Sequence, residues 1–201
     1  MSAREEVLGR IRDAIAPATV TSVPVPREYR TRTDDGVDTF VAQLQHYAAE
    51  ARRVPADRLD EAVRTTLRER GIVQVVAPDG VPEQWLDGLR PLRDSPPLDP
   101  QVLDGADGVI TTCAVAVAQT GTIVLDGTAG MGRRALSLVP DYHLCVVRAE
   151  QIVGCLPEAV SRLDPTRPLT FVSGPSATVD IEMVVIRGVH GPRRLEVIVV
   201  E

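Results

Sequence analysis

Residues 109–125 read V-I-T-T-C-A-V-A-V-A-Q-T-G-T-I-V-L. Val109 and Ile110 open an apolar run that continues through Thr111, Thr112 and the small-residue alternation of 114–118. Gln119, Thr120 and Gly121 interrupt it, and 122–125 resume it. The stretch carries no charged residue, whereas a sheet with one wet face alternates apolar with polar residues. It therefore predicts strands buried on both faces, with a tight turn or bulge at 119–121.

Working outward, similar apolar runs occupy 72–76, 142–147, 169–172, 183–186 and 195–200. Between them the apolar spacing becomes helical. Phe40, Val41, Leu44, Ala48 and Ala51 predict one helix within 38–54, and Leu59, Val63 and Leu67 a second that ends at Gly71. Shorter helices are expected at 81–89, around Trp85, at 135–139, and at 150–163 with a break at Pro157. Strands interspersed with helices predict an α/β domain with a mixed or mostly parallel sheet flanked by helices.

The N-terminus differs in character. Ser2 and Glu5 have capping-box spacing, and Val7, Leu8, Ile11 and Ile15 share one helical face. Pro17, Pro24 and Pro26 then punctuate a stretch without apolar period, which reads as an extended arm. The expected organisation is a helix and arm over 1–33 followed by one domain over 34–201. The helix either folds back on its own domain or reaches another subunit, which would make a homo-oligomer.

Composition narrows the function. A net charge of −6 with 3% aromatic residues argues against a nucleic-acid surface, which needs a basic face and stacking side chains. No apolar run is long enough for a membrane span, and the charged, periodic N-terminus does not read as a signal peptide, so a cytoplasmic protein is expected. Cys113, Cys145 and Cys155 show neither C-x-x-C pairing nor a histidine at ligand spacing, which predicts no metal site. Since an iron–sulfur cluster normally takes four ligands, none is expected on this chain.

Two polar stretches remain for chemistry. Residues 173–192, S-G-P-S-A-T-V-D-I-E-M-V-V-I-R-G-V-H-G-P, place Ser173, Gly174, Ser176, Thr178 and Asp180 after one strand and His190 in a turn after the next. Backbone N–H groups in such turns can face an anion. Residues 126–134, D-G-T-A-G-M-G-R-R, form the most glycine-dense loop. They match neither G-x-G-x-x-G nor a P-loop, but Arg133 and Arg134 suit a carboxylate or phosphate. Ordinary turn chemistry explains the same residues without a ligand.

Ordered motifs across the second half, including 118–125, 132–140, His143, 150–153, 173–176, 180–182 and 188–192, together resemble the LUD domain of lactate-utilisation protein C. The resemblance implies a Rossmann-like fold of the NagB/RpiA/CoA-transferase group. It further implies a part in bacterial oxidation of L-lactate to pyruvate, beside partner proteins that carry the iron–sulfur clusters. The family commonly has A-E-T-G-[TS] where this chain has Gln119. Glutamine keeps shape and hydrogen bonding but cannot act as nucleophile or general base.

Three functions compete on this reading. The first is a non-redox subunit of a lactate-oxidising system, with an anion-binding pocket at the strand ends. Thr120, Gly121, Arg133, Arg134, His143, Ser173, Gly174 and Ser176 would line that pocket, and His190 and Asp180 would handle protons. The second is an autonomous enzyme acting on a CoA ester or another anionic metabolite. The third is a scaffold or regulatory module without chemistry of its own.

Overall fold

The computed structural model describes residues 2–16, 24–179, 185–188 and 190–201. In chain order the elements are α1 (Ala3–Ile15), α2 (Val37–His46), β1 (Glu50–Val54), α3 (Leu59–Glu69), β2 (Gln74–Val76), β3 (Arg90–Leu92), α4 (Pro100–Asp104), β4 (Gly108–Thr111), β5 (Val115–Val117), β6 (Thr122–Leu125) and α5 (Arg134–Leu138). They continue with β7 (Tyr142–Arg148), β8 (Ile152–Val153), α6 (Leu156–Arg162), β9 (Thr170–Val172), β10 (Ala177–Val179), β11 (Val185–Arg187) and β12 (Arg194–Val200).

The main sheet runs β1-β12-β7-β4-β2-β3 with every pairing parallel. Because successive side chains point to opposite faces, the register divides the strands cleanly. Ile110, Leu144, Val146, Ile198 and Val200 face Leu59, Val63 and Leu67 of α3. Cys145, Val147, Val197 and Val199 face Phe40 and Leu44 of α2 and a second sheet. Both faces are dry, as the continuous apolar runs require. Each fully buried Leu or Phe side chain contributes about 1.5–3 kcal/mol.

The second sheet, β8-β5-β6-β9, is built from the deciding stretch itself. β5 and β6 pair antiparallel, and 118–120 form a single 3₁₀ turn between them. Ala116, Ala118, Ile123 and Leu125 point at the main sheet, while Val115, Val117 and Val124 pack with Val153 and with Ala159 of α6. The mixed, mostly parallel α/β architecture expected from the apolar runs is the one observed.

Three local expectations change. The helix expected through residue 54 ends at His46, because Ala48 adopts φ 60 and Ala49 N–H donates to Leu44 O at 2.9 Å, a left-handed termination. The residues beyond it become β1, an edge strand whose arginines carry ion pairs. Residues 81–89 hold only a 3₁₀ turn at Glu83–Trp85, and the Pro-rich loop contains β3, whose Pro91 is tolerated at the sheet edge. Of the segment expected as helix over 150–163, a 3₁₀ turn and β8 take the first part and α6 the second. The strand expected at 183–186 falls partly outside the described residues.

At the N-terminus the Ser2/Glu5 capping box forms, yet α1 buries no residue. No helix among the described residues is long and apolar enough to cross a membrane.

Candidate functional site

The two turns of 173–192 are tied to each other. Ser176 N–H donates to Pro192 O at 2.8 Å, Gly188 N–H to Ser176 O at 2.9 Å, and His190 N–H to Ser176 Oγ at 3.1 Å. Gly174 has φ 110, and a Cβ there would sit 2.8 Å from Tyr47 Cβ, so only glycine lets the turn rest on α2's end. Ser173 Oγ lies 2.7 Å from Thr122 Oγ1, which lies 2.6 Å from Thr120 Oγ1. This row of hydroxyls joins the turn at 119–121 to the turn at 173–176. Asp180 lies outside the described residues.

Against these turns packs α5, and a groove opens between them. One part, of about 820 Å³, is lined by Arg134, Asp104, Asp141, His190 and Arg193 among others. A second, of about 340 Å³, is lined by Arg134, Ser137, Ser173, Ser176 and His190 among others. Arg134 and His190 border both. Arg193 pairs with Asp141 at 3.1 Å, whereas Arg134 is exposed and joins no ion pair among the described residues.

The groove sits at an unexpected end of the sheet. Asp141 and Arg193 immediately precede β7 and β12, and Asp104 ends α4 shortly before β4, so it opens at the amino ends of the strands. Open α/β sheets usually bind ligands at the carboxyl ends. There the glycine-dense loop closes over β2 and β4 instead: Gly130 N–H donates to Asp79 O, and Thr112 N–H donates to Gly130 O. A Cβ on Gly80 would come within 2.7 Å of Gly130 N. A small cleft of about 210 Å³, bordered by Asp79, Asp94 and Thr128, lies at that end.

Arg133 belongs to this other end. Its Nε and Nη2 donate to the Asp94 carboxylate at 2.7 and 3.0 Å, and Nη2 also reaches Leu98 O at 2.7 Å. Burial alone would raise the Asp94 carboxyl, but Arg133 and the Leu98 N–H hold it below the usual range. Arg133 is thereby committed to a carboxylate of its own chain, and the two adjacent arginines part ways.

His143 does not reach the groove either. It is buried in β7, with Nε2 2.7 Å from Thr111 Oγ1. Gly121 adopts φ 58 beneath α2, where a Cβ would lie 2.9 Å from Gln43 Cβ and 3.0 Å from Leu44 N. Its role is a close approach of backbones. Gly121→Ala is expected to cost about 2 kcal/mol from left-handed strain and overpacking, measured as a lower urea midpoint at unchanged m-value; a cost below about 0.5 kcal/mol would contradict this packing.

Gln119 is exposed, and its N–H donates to Gly154 O at 3.1 Å. Its side chain stands beside Asp35, whose carboxyl is held below its usual range by neighbouring Thr33, Gln119 and Thr39, the Thr39 hydroxyl donating to it at 3.2 Å. An amide can donate to that carboxylate; a glutamate could not.

The cysteines are all buried. Burial raises the Cys113 thiol well above its ordinary value and pushes Cys145 up to about 12, so both stay protonated and behave as small core residues. Among the described residues, no three His, Cys, Asp or Glu side chains are grouped to hold a metal ion.

The groove therefore gathers Arg134, Ser173, Gly174, Ser176 and His190 from the expected set and leaves out Thr120, Gly121, Arg133 and His143. Asp104, Asp141 and Arg193 were not foreseen. Their common signal is position, one polar residue shortly before each parallel strand.

Residues 100–200 match the LUD domain family. Lactate utilization protein C of Deinococcus radiodurans is 45% identical over 206 residues, an alignment covering 98% of this chain and 95% of that protein. Lactate utilization protein C of Shouchella clausii is 35% identical over 106 residues, covering 48% of this chain and 44% of that protein. The crystal structure of a DUF162 family protein from Deinococcus radiodurans, at 1.70 Å resolution, superposes with a TM-score of 0.69 at 43% identity. It covers 82% of this chain and 95% of that one.

Proposed function

The chain belongs to the LUD domain family, and from that membership we propose that it serves lactate utilisation as a non-redox subunit of the system that oxidises L-lactate to pyruvate. The observation that carries this reading is the near full-length identity with a lactate utilization protein C. Oxidising a 2-hydroxy acid to a keto acid removes a hydride equivalent and a proton. In this reading the electrons pass to iron–sulfur clusters on partner proteins, since Cys113 and Cys145 are buried and held protonated.

The groove's part is to bind and hold an anion. Arg134 offers a planar, permanently charged fork that meets a carboxylate through paired N–H bonds. Ser173 and Ser176 supply hydroxyls beside it, and the His190 ring borders the same space, where an imidazole can accept or return a proton. Asp104, which unlike Asp141 joins no ion pair among the described residues, lines the same groove and opposes a second negative charge, which favours a small monocarboxylate over a polyanion.

Deleting the gene tests the role in lactate utilisation. Growth on L-lactate as sole carbon source should be lost while growth on pyruvate persists; undiminished growth on L-lactate would overturn the reading. Purification without oxygen from lactate-grown cells should bring down proteins carrying iron and sulfide in amounts near stoichiometric with this chain. In calorimetry, Arg134→Ala should weaken lactate or pyruvate binding at least about tenfold, and equal affinity in the variant would remove the groove from the mechanism.

A further inference from the structure

The arm and α6 border an open cavity separate from the groove, of about 410 Å³, with Tyr29, Thr31 and Arg32 on the arm side and Glu158, Ser161 and Arg162 on α6. The arm is seated rather than loosely draped. Thr33 N–H donates to Glu158 Oε1 at 3.1 Å, and a Cβ on Gly154 would overlap the Thr33 backbone.

The disposition of charge is the informative feature. Two guanidinium groups border this cavity with one carboxylate, yet the carboxylate does not pair with them. Glu158 instead accepts from Thr33 N–H at Oε1 and from Gly154 N–H at Oε2, at 3.3 Å. Among the described residues neither Arg32 nor Arg162 joins an ion pair. The one hydrogen bond recorded for either guanidinium runs from Arg162 Nη1 to Glu150 O at 3.3 Å. The Thr31 and Tyr29 hydroxyls add donors, and the Tyr29 ring, 57% exposed, adds a flat apolar surface.

Two exposed guanidinium groups that join no ion pair among the described residues, hydroxyl donors and a volume within the usual range for small-molecule sites suit a small organic dianion. We propose that the cavity between the arm and α6 binds a small dianion, a phosphate monoester or a dicarboxylate, clamped between Arg32 and Arg162. Since one arginine comes from the arm and the other from the domain, the ligand cross-links them and fixes the arm that carries α1. This site is independent of the anion groove and of the reading built on it.

The test uses the full chain, with inorganic phosphate and malonate as probes and sodium chloride at equal ionic strength as reference. Either probe at about a hundredfold excess over its Kd should raise the Tm by about 5 °C and slow tryptic cleavage after Arg27 and Arg30. The phosphate and malonate arms separate the two ligand types, and a response to either supports the site. Arg32→Ala and Arg162→Ala should each weaken binding at least about tenfold, and Arg134→Ala should not change it. The proposal is overturned by a response no larger than that to chloride, by a response retained in the Arg32→Ala/Arg162→Ala double variant, or by one lost in Arg134→Ala, which would place the anion in the groove instead.

Discussion

Replacing Arg70 with methionine should lower the free energy of unfolding by about 3 kcal/mol, near the lower end of what breaking a buried ion pair costs. Glu196 lies in β12 with its side chain 2% exposed. Arg70 Nε and Arg52 Nη2 each donate to it at 2.8 Å, and Tyr142 Oη donates at 3.1 Å. Arg70 also bridges to Glu50, the residue registered opposite Glu196 on β1. Removing Arg70 leaves a buried carboxylate with one guanidinium and one phenol. Burial and the neighbouring carboxylate already push the Tyr142 hydroxyl up, which keeps it a donor.

Neutralising the acid should be milder. In Glu196→Gln, Arg70 keeps Glu50 and Arg52 keeps Glu69, and no buried charge is orphaned. Arg70→Met made in that background should cost under about 1 kcal/mol, because most of its penalty is the desolvated carboxylate it abandons. Urea unfolding of the double-mutant cycle measures the difference. A cost for Arg70→Met that is the same in both backgrounds would show that packing, rather than the ion pair, is being measured.

His143 should make the protein acid-sensitive by about 3 kcal/mol. Burial pulls its imidazole down from 6.5 to about 4, and Nδ1 is enclosed without a partner. The folded chain therefore holds the ring neutral where the unfolded chain would protonate it. Stability is full above about pH 6.5 and falls by about 1.4 kcal/mol per pH unit as the pH drops toward 4. His143→Gln, which retains a partner for Thr111, removes that slope. Carboxylates titrate alike in both proteins, so the wild-type minus variant difference between pH 7.5 and 4.5 isolates the histidine. Parallel curves over this interval would refute the buried neutral ring.

The same histidine shows why the groove was only half legible. His143 and His190 look alike in the sequence, each beside a strand. His143 lies within β7 on the inward face, paired by register with Val109 and Leu195, whereas His190 lies in a turn before β12. β7 is buried on both faces from Tyr142 to Val147, so its histidine lies in the core, while the turn before β12 leaves His190 exposed. Arg133 and Arg134 divide for a related reason: α5 begins at Arg134, and the chain reversal before it turns Arg133 toward Asp94 at the opposite end of the sheet. Charged edge strands such as β1 lack an apolar pattern of their own, and the β12 partner of each β1 residue, Glu196 for Glu50, lies 146 residues further along the chain.

By itself the sequence determined the α/β architecture: uncharged, continuously apolar runs are satisfied as strands covered on both faces, and the intervening helical periodicities supply cover; that part of this cover is a second sheet, β8-β5-β6-β9, was decided by the tertiary structure. The sequence also determined the terminations that local hydrogen bonding controls, the capping box at Ser2 and the left-handed Gly71 after α3. Tertiary structure alone decided which polar residues meet. Backbone and side-chain geometry at one residue restricts its own φ, ψ and face, but a groove such as that of Arg134, Ser176 and His190 depends on where separate turns arrive once the sheet is paired. In this chain they arrive at the amino ends of the strands, while the glycine loop closes over the carboxyl ends of β2 and β4.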